Sequence, residues 1–293
     1  MIPSKFIVWK WKLVNENFMN KIIISCALVI TFLLINAGDK QKKEVPPGTV
    51  QINDTLFADE TEISNFSWLE YVYYNERKFG KNSQEYISSL PDTMVWREKN
   101  SNNEPYVQYY FRHVAYRNYP VVGISYEQAV KYCIWRSERV NYLINIRDGK
   151  QVNHPDSVFR GKPFYQYRLP TKQEWEALAI AGISDKVKVK PWTRITYDDN
   201  SKLKKVEKIN CTANTLELVE RFVDVTVPVK TFYPNKFGLY NLKGNVSEMI
   251  SDEGIAKGGS WMDEEKNCFF LKDFPYTKAT ANIGFRCVCI KKQ

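Results

Sequence analysis

Residues 167–176 read Tyr-Arg-Leu-Pro-Thr-Lys-Gln-Glu-Trp-Glu. Thr171 and Glu174 are spaced as a capping box, in which a hydroxyl and a carboxylate three residues on satisfy the free backbone donors of a helix start. Pro170 stands just before it, Trp175, Leu178 and Ala179 fall on one face at helical spacing, and Gly182 is placed as a stop. A second box, Ser125-Tyr-Glu-Gln128, opens another helix whose buried face carries Tyr126, Ala129, Val130 and Cys133. Working outward from these two helices, the remaining segments are short and rich in Tyr, Trp and Phe. Residues 183–235 read as extended loops and brief strands. The expected class is α+β, low in regular secondary structure, with aromatics at 14% of residues holding the loops down.

The chain has 293 residues, 44% hydrophobic and 26% charged, a globular rather than a disordered composition. That length buries a full core without needing a metal or a disulfide. Residues 38–50 are Lys- and Pro-rich and read as a linker. Residues 51–293 follow as one continuous domain with no repeat. Two histidines, His113 and His154, exclude any site that needs three imidazoles, so haem, zinc-hydrolase and multi-histidine iron centres are disfavoured. His113 reads as structural. Net charge is +9. The densest clusters, Lys186, Lys188 and Lys190, then Lys202, Lys204, Lys205 and Lys208, are interleaved with Asp185, Asp198, Asp199 and Glu207, which describes a solvated surface and no nucleic-acid partner. Glu174 and Glu176 read as capping and surface groups. There is no Ser-His-Asp set and no phosphate-cradling glycine loop.

Near the N-terminus, Ile22–Ile35 is an apolar run preceded by Lys21 and followed by Gly-Asp-Lys-Gln-Lys-Lys. A membrane span needs roughly 20 such residues, and this run is of the length of a secretory h-region. Residues 1–37 are therefore expected to be a signal peptide or an N-terminal anchor. The chain would be exported to the periplasm or the outer membrane, touching a membrane only through this segment. No cysteine lies just after the run, so a lipid anchor is not supported.

Five phrases occur in order: Pro120–Cys133, Tyr167–Glu176, Phe237-Gly-Leu-Tyr-Asn-Leu-Lys-Gly-Asn-Val-Ser-Glu248, Lys257-Gly-Gly-Ser-Trp261 and Ile283-Gly-Phe-Arg-Cys287. Together they resemble the formylglycine-generating-enzyme (sulfatase-modifying factor) domain over roughly residues 48–290. Glu62-Ile-Ser-Asn65, leading to Tyr71, looks like that domain's first strand. The resemblance implies a C-type-lectin-like fold of the sulfatase-modifying-factor type. A narrower resemblance lies in Leu90–Trp96, Glu104–His113, Tyr119–Gly123 and Trp135–Asn141, which look like the gliding-motility and type IX secretion lipoproteins of Bacteroidetes. It implies a part in an envelope assembly, with envelope proteins as partners.

The family's enzymes hold Cu(I) between two cysteines five residues apart after the Gly-Gly-Ser-aromatic phrase, one of which engages the substrate cysteine. Here these positions are Asp263 and Cys268. A carboxylate is a hard ligand and a poor partner for Cu(I), so copper is not expected and no catalytic residue is assigned. If the chain is nevertheless an oxidase acting on a protein cysteine, Cys268 and Asp263 are the residues to carry it. A third reading is a carbohydrate- or protein-binding module. The resemblance also implies a Cys133–Cys287 disulfide. The family's second bridge is lost on both sides, at positions aligning with Ala179 and Asp273. Cys287 and Cys289 are expected not both to be core, and Cys211 has no assigned partner. Finally, residues 241–248 resemble a family calcium site, with the Asn241 side chain, the Gly244 and Val246 carbonyls and the Glu248 carboxylate as ligands. The alternative is a tight turn whose Asn and Glu hold backbone groups directly.

Overall fold

The computed structural model describes residues 45–97, 103–147, 164–180, 193–197, 203–207, 210–211, 225–232 and 234–292, of which 193–197 and 203–207 are described by backbone alone. The expected signal or anchor (1–37), most of the expected linker, Gly182 and the lysines at 186, 188, 190, 202 and 208 lie outside these residues.

In chain order the elements are β1 (Thr49–Gln51), β2 (Leu56–Asp59), α1 (Asn65–Phe79), α2 (Gln84–Ile87), α3 (Glu104–Tyr109), α4 (Tyr126–Arg147), β3 (Tyr165–Arg168), α5 (Lys172–Ile180), β4 (Thr193–Tyr197), β5 (Leu203–Glu207), β6 (Ser247–Met249), β7 (Ile255–Lys257), β8 (Asp273–Pro275), β9 (Ile283–Gly284) and β10 (Val288–Lys291). One sheet runs β1-β2-β10-β3, a second β8-β7-β6-β9, and β4 pairs with β5. β1 begins inside the stretch read as linker.

Both capping boxes close as expected. The Ser125 hydroxyl accepts from Gln128 N at 3.2 Å while Gln128 Oε1 accepts from Ser125 N at 2.7 Å. Thr171 and Glu174 repeat the exchange at 3.2 and 2.9 Å. Ala129 and Cys133 are buried on α4, and Trp175, Leu178 and Ala179 on α5. The phrase Glu62-Ile-Ser-Asn65, expected as a first strand, is instead a short loop that enters α1 at Asn65, because the Ser64 hydroxyl accepts from Ser67 N and caps the helix.

In the first sheet, β10 is antiparallel to both neighbours, with Val288 opposite Ala58 on β2 and Arg168 on β3. Beside β3, α4 supplies side-chain partners. Asn141 donates to Tyr165 O and accepts from Tyr165 N, and the Ser137 hydroxyl accepts from Tyr167 N. Helix side chains thus cover backbone that a bare edge would leave open.

The core is aromatic. Trp68 stacks on Tyr132 at 5.2 Å between centroids, and Phe285 packs edge-on against both rings. The Trp68 ring nitrogen donates to Ser89 O. Trp175, Leu178, Leu239, Ile250 and Val288 form a second cluster. Cys287 and Cys289 are both fully buried, contrary to expectation. Residues two apart on an extended chain share a face, and this face is the core side.

Candidate functional site

The site lies where the Gly-Gly-Ser phrase, the 241–248 turn and Cys268 meet. Gly258 and Gly259 have φ of +92° and +72°, a region that side chains rarely adopt. Space makes the same demand, since a Cβ at Gly258 would come within 2.9 Å of Leu242 O and one at Gly259 within 2.8 Å of the Cys268 backbone. The two glycines therefore let strand β7 turn sharply under Cys268.

Asp263, at the first copper-ligand position, faces back into its own turn. Its Oδ2 accepts from Ser260 N at 2.9 Å and from the Ser260 hydroxyl at 2.5 Å, an arrangement typical of Asp at turns. Cys268 is completely buried and disulfide-bonded to Cys211. Its sulfur lies 3.7 Å from Ser260 O and 3.9 Å from Asp263 O. The two residues that could have carried an oxidase are thus committed elsewhere, one to a hydroxyl and one to a sulfur. Cu(I) needs two free soft donors, and these residues do not fit it.

The bridge therefore stands at Cys211–Cys268. Cys133 and Cys287, expected as the disulfide, face each other across 3.5 Å between sulfurs but remain thiols, as does Cys289. Burial pushes the Cys287 thiol well up and that of Cys289 to about 12, so neither is reactive as it stands.

The 241–248 turn takes positive φ at Asn241, Gly244 and Asn245. Of the four expected calcium ligands, Glu248 spends both carboxylate oxygens within the protein. Oε1 accepts from Arg286 at 2.6 Å, and Oε2 accepts from Arg286 and from the Trp175 ring nitrogen, each at 2.7 Å. Asn241 donates to Val229 O and to Glu62, while its buried Oδ1 has no partner. That one oxygen has a ligand's surroundings, but the only carboxylate of the set already carries a guanidinium. A dication would compete with that buried pair, so the set does not fit calcium. Of the alternative, in which Asn and Glu hold backbone groups, the Asn241 side chain keeps a backbone carbonyl, while Glu248 holds side chains instead.

Sequence reasoning missed the charges beneath the turn. Glu62 is buried and accepts from Asn245 at 2.8 Å. Burial drives its carboxyl up to about 8, with Arg286 opposing and Glu248 adding to the rise. Lys257, also completely buried, donates to Glu176 and Asp273 at 2.8 Å each, and Lys172 binds the other oxygen of Asp273. Asp273, aligned with one cysteine of the family's lost second bridge, therefore still ties α5 to β7 and β8, now through charge. Glu174 pairs with Arg168, and His113 accepts from Ala115 N; both are structural. Five cysteines after residue 37 signalled an odd thiol, but nothing in the sequence pairs Cys211 with Cys268. Among the described residues no three His, Cys, Asp or Glu side chains are grouped to hold a metal ion.

Several known proteins are similar to this chain. Residues 29–291 match the family model of the sulfatase-modifying factor enzyme 1-like domain. The formylglycine-generating enzyme of Mus musculus is 23% identical over 85% of this chain and 69% of its own. The inactive C-alpha-formylglycine-generating enzyme 2 of Bos taurus is 27% identical over 58% of this chain and half of its own length. Among solved structures, PvdO from Pseudomonas aeruginosa aligns at a TM-score of 0.36 and 20% identity, over 60% of this chain and 63% of that one. Treponema denticola variable protein 1 aligns at a TM-score of 0.41 and 16% identity, over 85% and 92%. With its family model matched across nearly its full length, the chain belongs to the sulfatase-modifying factor enzyme 1-like domain family.

Proposed function

We propose that this chain is a non-catalytic member of its family, exported and serving as a structural or binding component of the cell envelope. The observation that carries the reading is the state of the former copper pair, with Cys268 closed onto Cys211 and Asp263 turned onto Ser260. A relative described as inactive is in keeping with it. The phrases between residues 90 and 141 support a role in gliding motility or type IX protein secretion, with envelope proteins as partners. Calcium plays no part at the 241–248 turn. In the oxidising compartment that export implies, Cys133 and Cys287 close into a second bridge before the core packs around them.

Two experiments test this. Reduced protein loaded with Cu(I) and given a Cys-x-Pro-x-Arg peptide under air is followed by mass spectrometry, and no formylglycine is expected. Conversion would install the oxidase instead, acting through Cys268 with Asp263 as an unusual partner. Deleting the gene is expected to abolish gliding or secretion, and the tagged chain to co-purify with outer-membrane proteins. Unchanged motility and secretion would remove the machinery role.

A further inference from the structure

The Cys211–Cys268 bridge joins two unlike sulfurs. Cys268 is fully buried, whereas Cys211 is partly open to solvent. A glycine stands against each. A Cβ at Gly244 would lie 3.0 Å from the Cys211 sulfur and 2.6 Å from Asn210 O, and one at Gly259 would lie 2.9 Å from the Cys268 sulfur. Asn210 is fixed independently of the bridge. Its carbonyl accepts from Asn245 N at 2.8 Å, and its side chain donates to Val225 O at 2.9 Å. Cys211 is thus held at its place by its neighbour even with the bond open.

We propose that this bridge is a thiol-exchange site, entered at Cys211 by a thiolate-bearing partner, small molecule or protein. Attack on a disulfide goes to the sulfur that can be reached, and here that is Cys211. The incoming thiolate forms a bond to the Cys211 sulfur, the Cys211–Cys268 bond breaks, and Cys268 leaves with the electron pair and takes one proton from solvent. One thiol-level sulfur and one disulfide stand on each side, so no oxidant or reductant is consumed. The released Cys268 S–H finds two acceptors, Ser260 O and Asp263 O, at 3.7 and 3.9 Å. Carbonyl oxygens favour the neutral thiol over the thiolate, and only the thiolate attacks back. The adduct on Cys211 is consequently long-lived, which makes the site a point of capture rather than a turnover redox centre. The inference is independent of the envelope role.

The test uses the purified full chain with glutathione as probe, quenched in acid and mapped by mass spectrometry under native conditions. A single adduct on Cys211, persisting for minutes after removal of free glutathione, is expected. In Cys268→Ser the Cys211 thiol should alkylate readily, whereas in Cys211→Ser the Cys268 thiol should alkylate roughly 100-fold more slowly, at the rate of local opening. An adduct on Cys268, loss of the adduct within seconds, or no adduct until the protein is denatured would each overturn the proposal, the last leaving a static staple. The wild-type mapping alone decides if neither variant folds.

Discussion

Two cysteine pairs sit in this fold under opposite conditions. Cys133 and Cys287 meet in the aromatic core at 3.5 Å, walled by Tyr132 and by the Asp59–Arg136 ion pair, and stay thiols. Cys211 and Cys268 meet between two glycine turns at the rim and are bonded. Proximity is therefore not what separates them. A thiol must ionise to react, and burial suppresses that at Cys287, while the rim admits solvent to one partner. Sequence separation is large for both, 154 residues in the core pair and 57 at the rim, so either bond ties distant parts of the chain together.

The largest effect should come from cutting the rim bond. A loop of that length lowers the entropy of the unfolded chain enough to stabilise by about 4 kcal/mol, so Cys268→Ser should lower Tm by about 10 °C. A loss of only a degree or two in calorimetry would show the bond to be incidental. Thiol counting in denaturant sharpens the same contrast. Within residues 38–293, protein made in a reducing cytoplasm and then air-exposed should show Cys133, Cys287 and Cys289 as free thiols, whereas protein recovered from the exported compartment should show Cys289 alone.

Next in size is Glu62, whose carboxyl is raised in the folded state by burial to about 8 from 4.5. The folded state then binds a proton that the unfolded chain has released, so stability falls as pH rises from about 4.5 to about 8. Glu62→Gln should flatten this fall by an amount on the order of a few kcal/mol, visible as a Tm gain at pH 8 and none at pH 4. A parallel shift at both pH values would refute it. Asp273→Ala removes one of two partners from buried Lys257 at a half-open site, for about 1–2 kcal/mol. Smallest of all, millimolar Ca2+ added to chelator-treated protein should move Tm by less than about 1 °C, because Glu248 in the 241–248 turn already closes on Arg286 and Trp175. A rise of several degrees would restore the cation to Asn241.

The two helices were legible because a capping box is local, needing only four residues and a buried stripe. The order of the five phrases carried the fold for the same reason, as each encodes its own turn. What escaped was whatever depends on residues far apart in the chain. Nothing around Glu62 announces Asn245, nothing around Cys211 announces Cys268, and Lys257 reads as a surface lysine until Glu176 and Asp273 fold over it. At the candidate site, Asp263 stands out in the sequence at a position where the family carries a cysteine, but its bond to Ser260 depends on a turn shape that composition does not specify. Cys289 was misjudged through strand parity, since alternate residues share a face.

The position of β10 bears on how the molecule is made. Residues 288–291 fill the gap between β2, from residues 56–59, and β3, from residues 165–168. Until residues 285–291 emerge, β2 and β3 have no partner in common and the aromatic core lacks Phe285. Synthesis from the N-terminus cannot close the first sheet stepwise, and a chain cut before residue 288 should remain a holdase client rather than a smaller folded protein.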